Sequence, residues 1–434
     1  MRDLGRDRRR RRRRHRGHGG RARQRARAGD ADRASGQTQS AGAEAVTHAL
    51  YLLDPDPTLA WAPFAGIRPL SELRAGAHLV RERWETFVGT EAVAIFALPH
   101  LAGFPEPGVP PVEARRAVAG PAVIGSSTFA PRGLAGPLPN AAARLTHEGI
   151  TVGWAVPAGS TWTGPVSNAQ AMNVEGVLLR GVHDLVSVLE QLLREDVIKL
   201  LGDSDPVPKG SIVLGDAAWV SVREAAVEPG VVFDTRNGPV VLESGVEVRS
   251  GTRLEGPLWV GANTRITGGA IRHSAIGPWC VVHGEVSTTA MLGYANKSHY
   301  GFLGHSVLGR WVNFGAGTTT SNLKSTYGPV RLDVAGTKLE TGHQFLGSLI
   351  GDHAKTAIGT LLDAGSVIGA GASVFDDVKA PKYVAPFSWG GSASERMRLE
   401  KFLATVERVL PRRHVEVTEP MRSYLARAFD WLTR

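Results

Sequence analysis

Aliphatic side chains recur at every sixth position through much of the second half of this chain. Leu242, Val248, Leu254, Val260 and Ile266 stand six apart, as do Ile276 and Val282, then Phe302, Leu308 and Phe314, then Ile350, Thr356, Leu362, Ile368 and Val374. Glycines keep the same step at Gly245 and Gly251, Gly309 and Gly315, and Gly359, Gly365 and Gly371. A six-residue period fits neither a helix nor a plain alternating strand. It fits a β-solenoid whose short strands each turn one side chain inward, with three strands, or about 18 residues, to a coil. Small residues at the corners let the backbone bend. The pattern predicts a parallel β-helix of hexapeptide repeats over residues 211–390. That architecture coils left-handed, against the usual crossover preference. The ten-residue step from Ile266 to Ile276 predicts a four-residue insertion. Residues 318 to 345 lose the pattern and read as a polar loop projecting from one face, where binding tends to sit.

The 434 residues exceed one ordinary core and suggest two or three domains. Net charge is +9, but residues 1–33 alone hold 15 Arg and 4 Asp, leaving −2 for the remainder. The high pI therefore describes an Arg-rich extension over 1–45, read as disordered on composition. Such a tail binds nucleic acid or anionic membrane only non-specifically. It has no apolar core of the kind a secretory signal needs. The absence of a long apolar run predicts no membrane span. A single cysteine, Cys280, excludes an intramolecular disulfide and a cysteine metal cluster. A cytoplasmic enzyme is the expectation.

Between these segments, residues 46–201 read as a small α/β domain. Thr47–Leu53, Ala92–Leu98 and Ile150–Val156 are predicted strands, and Leu70–Trp84 and Val182–Leu201 predicted amphipathic helices. Residues 202–210 form a linker. From 391 to 434 the pattern is helical again and predicts helices that cap the open end of the solenoid.

The polar stretch Gly293 to Gly309 is dense in groups that carry chemistry. Acyl transfer to an amine needs a neutral nucleophile, and imidazole is the side chain best suited to accept its proton near neutrality. His299 is the first candidate, with His305, His273, His283 and His343 as alternatives on sequence alone. A three-histidine metal site could be drawn from this pool, but no tight metal-ligand spacing is evident, so metal-assisted hydrolysis ranks well below acyl transfer and no metal ligand is assigned. Cys280, beside inward aliphatics, reads as a buried structural thiol.

Lys297-Ser-His-Tyr-Gly-Phe-Leu-Gly304, followed by Val312-Asn-Phe-Gly-Ala-Gly-Thr-Thr-Thr-Ser-Asn322, resembles the bifunctional N-acetylglucosamine-1-phosphate uridyltransferase / glucosamine-1-phosphate acetyltransferase family. With Phe345-Leu-Gly-Ser-Leu-Ile-Gly-Asp-His-Ala-Lys-Thr-Ala-Ile-Gly359, it looks like a divergent branch of sugar nucleotidyltransferases. The resemblance covers roughly residues 240 to 380. It implies an α/β nucleotidyltransferase-like domain followed by a left-handed parallel β-helix. It makes His299 the general base and assigns Asn313 and Asn322 to the amino-sugar phosphate. Ser348 and Ala370 map onto acetyl-CoA contacts. The family's tyrosine three residues after the histidine is Phe302 here, and an upstream substrate lysine is replaced near Thr288 or Thr289. Lys297 or Lys324 then supplies phosphate charge.

In the N-terminal domain, Arg68 to Trp84 resembles the start of the nucleotidyltransferase-like domain of that branch. The glycine-rich loop that ordinarily cradles a nucleoside triphosphate is absent. Arg68 and Arg74 are candidate phosphate ligands, and Asp54 and Asp56 candidates for Mg²⁺. The resemblance implies acetyl-CoA as co-substrate, sugar-phosphate and nucleoside-triphosphate substrates, and a homotrimer with the acyl-CoA site between neighbours. Two other readings stay open: a nucleotidyltransferase whose solenoid only assembles the trimer, and a non-catalytic scaffold.

Overall fold

A computed structural model describes residues 47–434 apart from 137, 140, 203 and 392–394. The readings made for the Arg-rich segment 1–45 lie outside the described residues. The N-terminal region is built on a seven-stranded sheet. Its order is Gln170–Asn173, Ala143–His147, Ile150–Val156, Ala122–Ser126, Ala49–Leu53, Ala92–Phe96, Val112–Glu113. Ala49–Leu53 runs parallel to both of its neighbours. Strand alternation divides it between two cores. Leu50 and Leu52 face Trp84 and Phe129, while Tyr51 stacks on Phe96 at 5.4 Å on the other side.

The helix expected over Leu70–Trp84 is present only in its second half. Residues 70–72 make a single turn, Arg74–Ala75 and His78–Leu79 form a hairpin, and the helix runs Val80–Val88. The apolar spacing is helical, but Gly76 sits at φ +74, where its absent Cβ leaves room for the Asp196 carboxylate. That carboxylate accepts from the Ala77 amide at 2.8 Å and from Arg83. Tertiary hydrogen bonding thus outcompetes local propensity. The helix expected over Val182–Leu201 appears as Asp184–Ser187 and Leu189–Lys199.

From Ile212 to Val384 the chain winds into a parallel β-solenoid with three faces. The first face stacks nine strands, from Val220–Val222 through Leu258–Val260 and Val307–Leu308 to Tyr383–Val384, each parallel to the next; the second carries Asn296–Lys297 and Lys355–Thr356, and the third Phe302–Gly304. The inward positions Leu242, Val248, Leu254, Val260 and Ile266 are all buried, as are Ile350 to Val374 on the same step. The expected insertion between Ile266 and Ile276 does not exist. Ile271 points inward between them, and one eight-residue strand, Arg265–Arg272, turns the corner. Gly269 makes this tight corner possible: a Cβ there would lie 2.0 Å from the Gly284 carbonyl oxygen.

Phe302 also departs from the expected frame. Leu303 is the inward residue of that strand, and Phe302 lies half-buried on the outside. The true six-residue step runs from Lys297 to Leu303, because Lys297 itself stands in the interior row, paired with Val282. A charged residue at a core position hid the frame.

The segment from 318 to 345 is more than a solvated loop. Its hairpin, Arg331–Val334 with Thr337–Glu340, buries Val330, Leu332 and Val334 in the core that also holds Phe64, Trp84 and Leu349. The C-terminal helices, Leu399–Val409 and Glu419–Leu432, do more than close an end. They strap one corner of the solenoid, where aromatic side chains at left-handed backbone positions stack coil upon coil. Tyr294 and Trp311 lie 4.4 Å apart, His353 stacks on Trp311, and Phe402 packs edge-on to His353 and Phe387. Tyr424 donates its hydroxyl to the Ile67 carbonyl. N-terminal region, solenoid flank and C-terminal helices therefore share one continuous core.

Candidate functional site

Two clusters on the solenoid wall gather the polar residues singled out by the sequence. The first lies at the corner between the third and first faces. Asn322 donates its amide to His305 Nδ1 at 2.7 Å, and Phe345 stacks on the same imidazole at 5.3 Å. Burial, with Arg272 and His273 adding to it, pulls the His305 imidazole down to about 4. It is therefore neutral at pH 7. With Nδ1 accepting from Asn322, its proton sits on Nε2, so His305 presents a hydrogen-bond donor rather than a base.

The second cluster lies on the second face. Asn296 donates to Asn313 Oδ1 at 2.8 Å, and Asn296, Asn313 and Lys355 follow one another as parallel bridge partners on successive coils. Here the six-residue frame turns Phe314 and Thr356 inward, so Asn313 and Lys355 face out. They open into a pocket of about 260 Å³ that is closed by Val409, Arg412 and Arg413 from the C-terminal strap. Three cations and two amides line it, with no carboxylate. Burial draws Lys355 down to about 8, and burial next to Arg265 and Arg412 lowers Arg413. Half-buried Lys355, which also donates to the His353 carbonyl at 2.9 Å, and half-buried Arg413 beside the exposed Arg412 are suited to an anion.

His299 stands on the exposed corner between the second and third faces. Its backbone carbonyl, with that of His283, accepts from Lys297 Nζ. Lys297, expected to offer charge to phosphate, is buried inside the coil, and burial pulls its ammonium down to about 8. It positions the His299 turn. Asn313 and Asn322 are not brought to one point within a single chain, since each bonds a different neighbour on a different face. Lys324 is half-buried and donates to the Pro329 carbonyl at 2.9 Å. Ser348 and Ala370 are fully buried beneath the shared core. Cys280 is buried too, its thiol pushed up to about 12.

In the N-terminal region Arg68 is buried with its guanidinium committed to Glu106 at 2.7 Å and Asp352 at 2.8 Å. Arg74 donates to the Ala77 carbonyl, stacks on Trp259 at 4.6 Å, and lines a cleft of about 650 Å³. Burial lowers it to about 10. Glu72, Glu82, Glu85 and Glu243 line the same cleft, so its charge is mixed. Asp54 accepts from the Leu70 amide at 3.0 Å, and burial pushes its carboxyl up to about 6; Asp56 is exposed. Arg68 is therefore committed to carboxylates, whereas Arg74 still faces the cleft with its Nε unpaired. The residues that the sequence did not single out are Asn296, Lys355, Arg412 and Arg413. Lys355 was accessible in principle, one position before an inward residue of the frame. The arginines arrive from a distant helix end and carry no local signal.

The buried lysines give a pH signature. Both titrate near 8 in the folded chain against an ordinary value of 10.5. Below pH 8 they are charged in folded and unfolded chain alike, and the burial cost is fully present. Between pH 8 and 10.5 the folded chain releases protons that the unfolded chain keeps, so stability rises with pH through that window. Relative to Lys297→Met, the wild type is expected to gain on the order of 1 kcal/mol between pH 8 and 10 in urea unfolding. A constant difference across that range would rule this out.

Residues 50–203 match the family model described as sugar nucleotidyl transferase. The molecule is thus a sugar nucleotidyl transferase-type α/β region joined to a parallel β-solenoid with C-terminal helices. The chain is similar to the bifunctional sugar-1-phosphate nucleotidylyltransferase/acetyltransferase of Sulfurisphaera tokodaii. The two are 31% identical over 146 residues, covering 32% of this chain and 35% of that protein. It is also similar to the bifunctional protein GlmU of Methanococcus vannielii, 32% identical over 106 residues, or 23% of this chain and 25% of that one. The corresponding protein of Methanocaldococcus jannaschii is 27% identical over 106 residues, or 23% and 26%. The chain is thus similar to these proteins over part of its length. The matched stretches span about a third or less of the relatives' own length. No helix among the described residues is long and apolar enough to cross a membrane.

Proposed function

We propose that this chain is a transferase of nucleotide-sugar biosynthesis whose solenoid N-acetylates an amino-sugar 1-phosphate from acetyl-CoA. The observation that carries this reading is the carboxylate-free pocket of Asn313, Lys355, Arg412 and Arg413. Its charge fits a phosphate, and its asparagine is the one that the sequence motif assigns to the sugar phosphate. In the reaction, the amine nitrogen attacks the thioester carbonyl carbon, forming the C–N bond as the C–S bond breaks. His299 takes the proton released by the nitrogen, and the departing thiolate of CoA is protonated in turn. The Nε2–H of His305, held by Asn322, is a neutral donor for oxyanion charge. The direct test is CoA release from acetyl-CoA and glucosamine 1-phosphate by wild type and His299→Ala. Equal, slow release by both would overturn the reading.

A homotrimer completes the site in this reading. Tyr300, Ile358, Phe375 and Val378 are exposed apolar side chains that follow the same solenoid corner as His299, which supports self-association there. Light scattering is expected to give three times the chain mass for wild type and a smaller species for Ile358→Glu. A monomeric wild type would exclude this assembly.

The family match over 50–203 supports a second activity, transfer of a nucleotidyl group to a sugar 1-phosphate with Mg²⁺ and release of pyrophosphate. Pyrophosphate release from UTP or dTTP over a panel of sugar phosphates tests it.

A further inference from the structure

Away from the solenoid wall, three metal-binding side chains meet where the N-terminal region touches the 318–345 segment. They are His183 and Asp184, at the start of a short helix, and His343, near the end of the segment. His343 Nε2 stands 3.4 Å from Asp184 Oδ1, and His183 Nε2 stands 3.6 Å from the same oxygen. One ligand atom from each of the three residues falls within 4.8 Å of both others.

Hydrogen bonding alone does not account for this cluster. Its single internal hydrogen bond is the long one from His343 to Asp184. His183 is more than nine-tenths buried, and its Nδ1 has no partner. The nitrogen that faces the cluster is Nε2, which meets Asp184 Oδ1 only at 3.6 Å, beyond hydrogen-bond length. Asp184, in contrast, is held: its Oδ2 accepts from the Arg180 amide at 2.7 Å. That bond leaves Oδ1 as a single, oriented donor oxygen, the role that outer hydrogen bonds give to metal-ligating carboxylates.

We propose that His183, Asp184 and His343 form a divalent transition-metal site, with Zn²⁺ as the ion. At Zn–N and Zn–O distances of about 2.0–2.1 Å, tetrahedral ligands stand roughly 3.3–3.4 Å apart. The two separations on Asp184 Oδ1 are close to such edges, and rotation of the His343 ring closes the third. Mg²⁺ fits less well, because octahedral ligands at about 2.0–2.1 Å would stand about 2.9 Å apart and prefer oxygen to imidazole. Water takes the fourth position. Entry is from the side of His343, which is partly exposed.

The site joins distant parts of the chain. His343 lies two residues before Phe345, which stacks on His305, and in the same segment as Asn322. Bound Zn²⁺ fastens that segment to the N-terminal region and steadies the corner that holds His305. The ion binds the folded chain and not the unfolded one, so it raises the melting temperature in proportion to its occupancy.

The test uses the full chain, stripped with chelator and titrated with Zn²⁺ by calorimetry, with Co²⁺ absorption as a readout of geometry. Wild type is expected to bind one equivalent more than His343→Ala. It should also show a visible tetrahedral Co²⁺ band and melt at a higher temperature with Zn²⁺ than after EDTA. Asp184→Asn keeps the shape of the site and is expected to bind at least 10-fold more weakly, while His414→Ala binds as wild type does. Circular dichroism checks that each variant is folded. Equal stoichiometry in wild type and folded His343→Ala, or no shift in melting on adding Zn²⁺ to wild type, would overturn the proposal. These readouts do not depend on acetyl transfer, so the failure of one leaves the other standing.

Discussion

His299→Ala is expected to slow CoA release by about 10²–10⁴-fold, the usual contribution of a positioned general base. The affinity for acetyl-CoA should change little, so the loss falls on kcat. The expectation rests on where the residue stands. His299 is exposed on the corner next to Asn296–Lys297 and is held there by the Lys297 ammonium through its own carbonyl. Substituting Lys297 therefore disturbs the geometry of the base without removing it. A Lys297→Met variant should lose less activity than His299→Ala, and the two losses should not add, because both act through one group. If His305→Ala proves more damaging than His299→Ala, the roles of base and oxyanion donor are exchanged. The 2.7 Å bond from Asn322 to Nδ1 argues against that exchange.

The second large effect is on stability. Arg68 is buried between Asp352 of the solenoid and Glu106 of the N-terminal region, and Arg310 also reaches Glu106 at 3.1 Å. Removing one partner of such a buried network leaves a desolvated charge behind, at a cost of about 3–5 kcal/mol. Asp352→Ala is thus expected to lower the urea midpoint sharply. The pair replacement Arg68→Met with Asp352→Leu should recover most of that loss, because no charge is left without a partner. Equal midpoints for wild type and Asp352→Ala would show that the network is solvated in solution.

The sequence and the structure agree best where one physical rule dominates. The six-residue rows of Leu242 to Ile266 and Ile350 to Val374 were legible because a solenoid interior admits one aliphatic side chain per strand. Ile150–Val156 was legible as a short run rich in β-branched and aromatic residues. Legibility failed where side chains from afar overrule local pattern. The Asp196 carboxylate turns residues 74–79 into a hairpin despite their helical spacing. Lys297 sits among aliphatics because two carbonyls receive its charge, and that displaced the apparent frame onto Phe302. The candidate site divides in the same way. Asn313, Asn322 and His299 were marked by motif, while Lys355, Arg412 and Arg413 join Asn313 only through the docking of a C-terminal strap.

The continuous core shared by the N-terminal sheet, the 318–345 hairpin, the solenoid flank and the strap has a consequence for how the chain can change. Val307, Leu349 and Val367 on the first face are covered by other parts of the molecule and not by more solenoid. Excising the N-terminal region would bare that apolar wall to water. The region is therefore indispensable as cladding, whatever chemistry it carries.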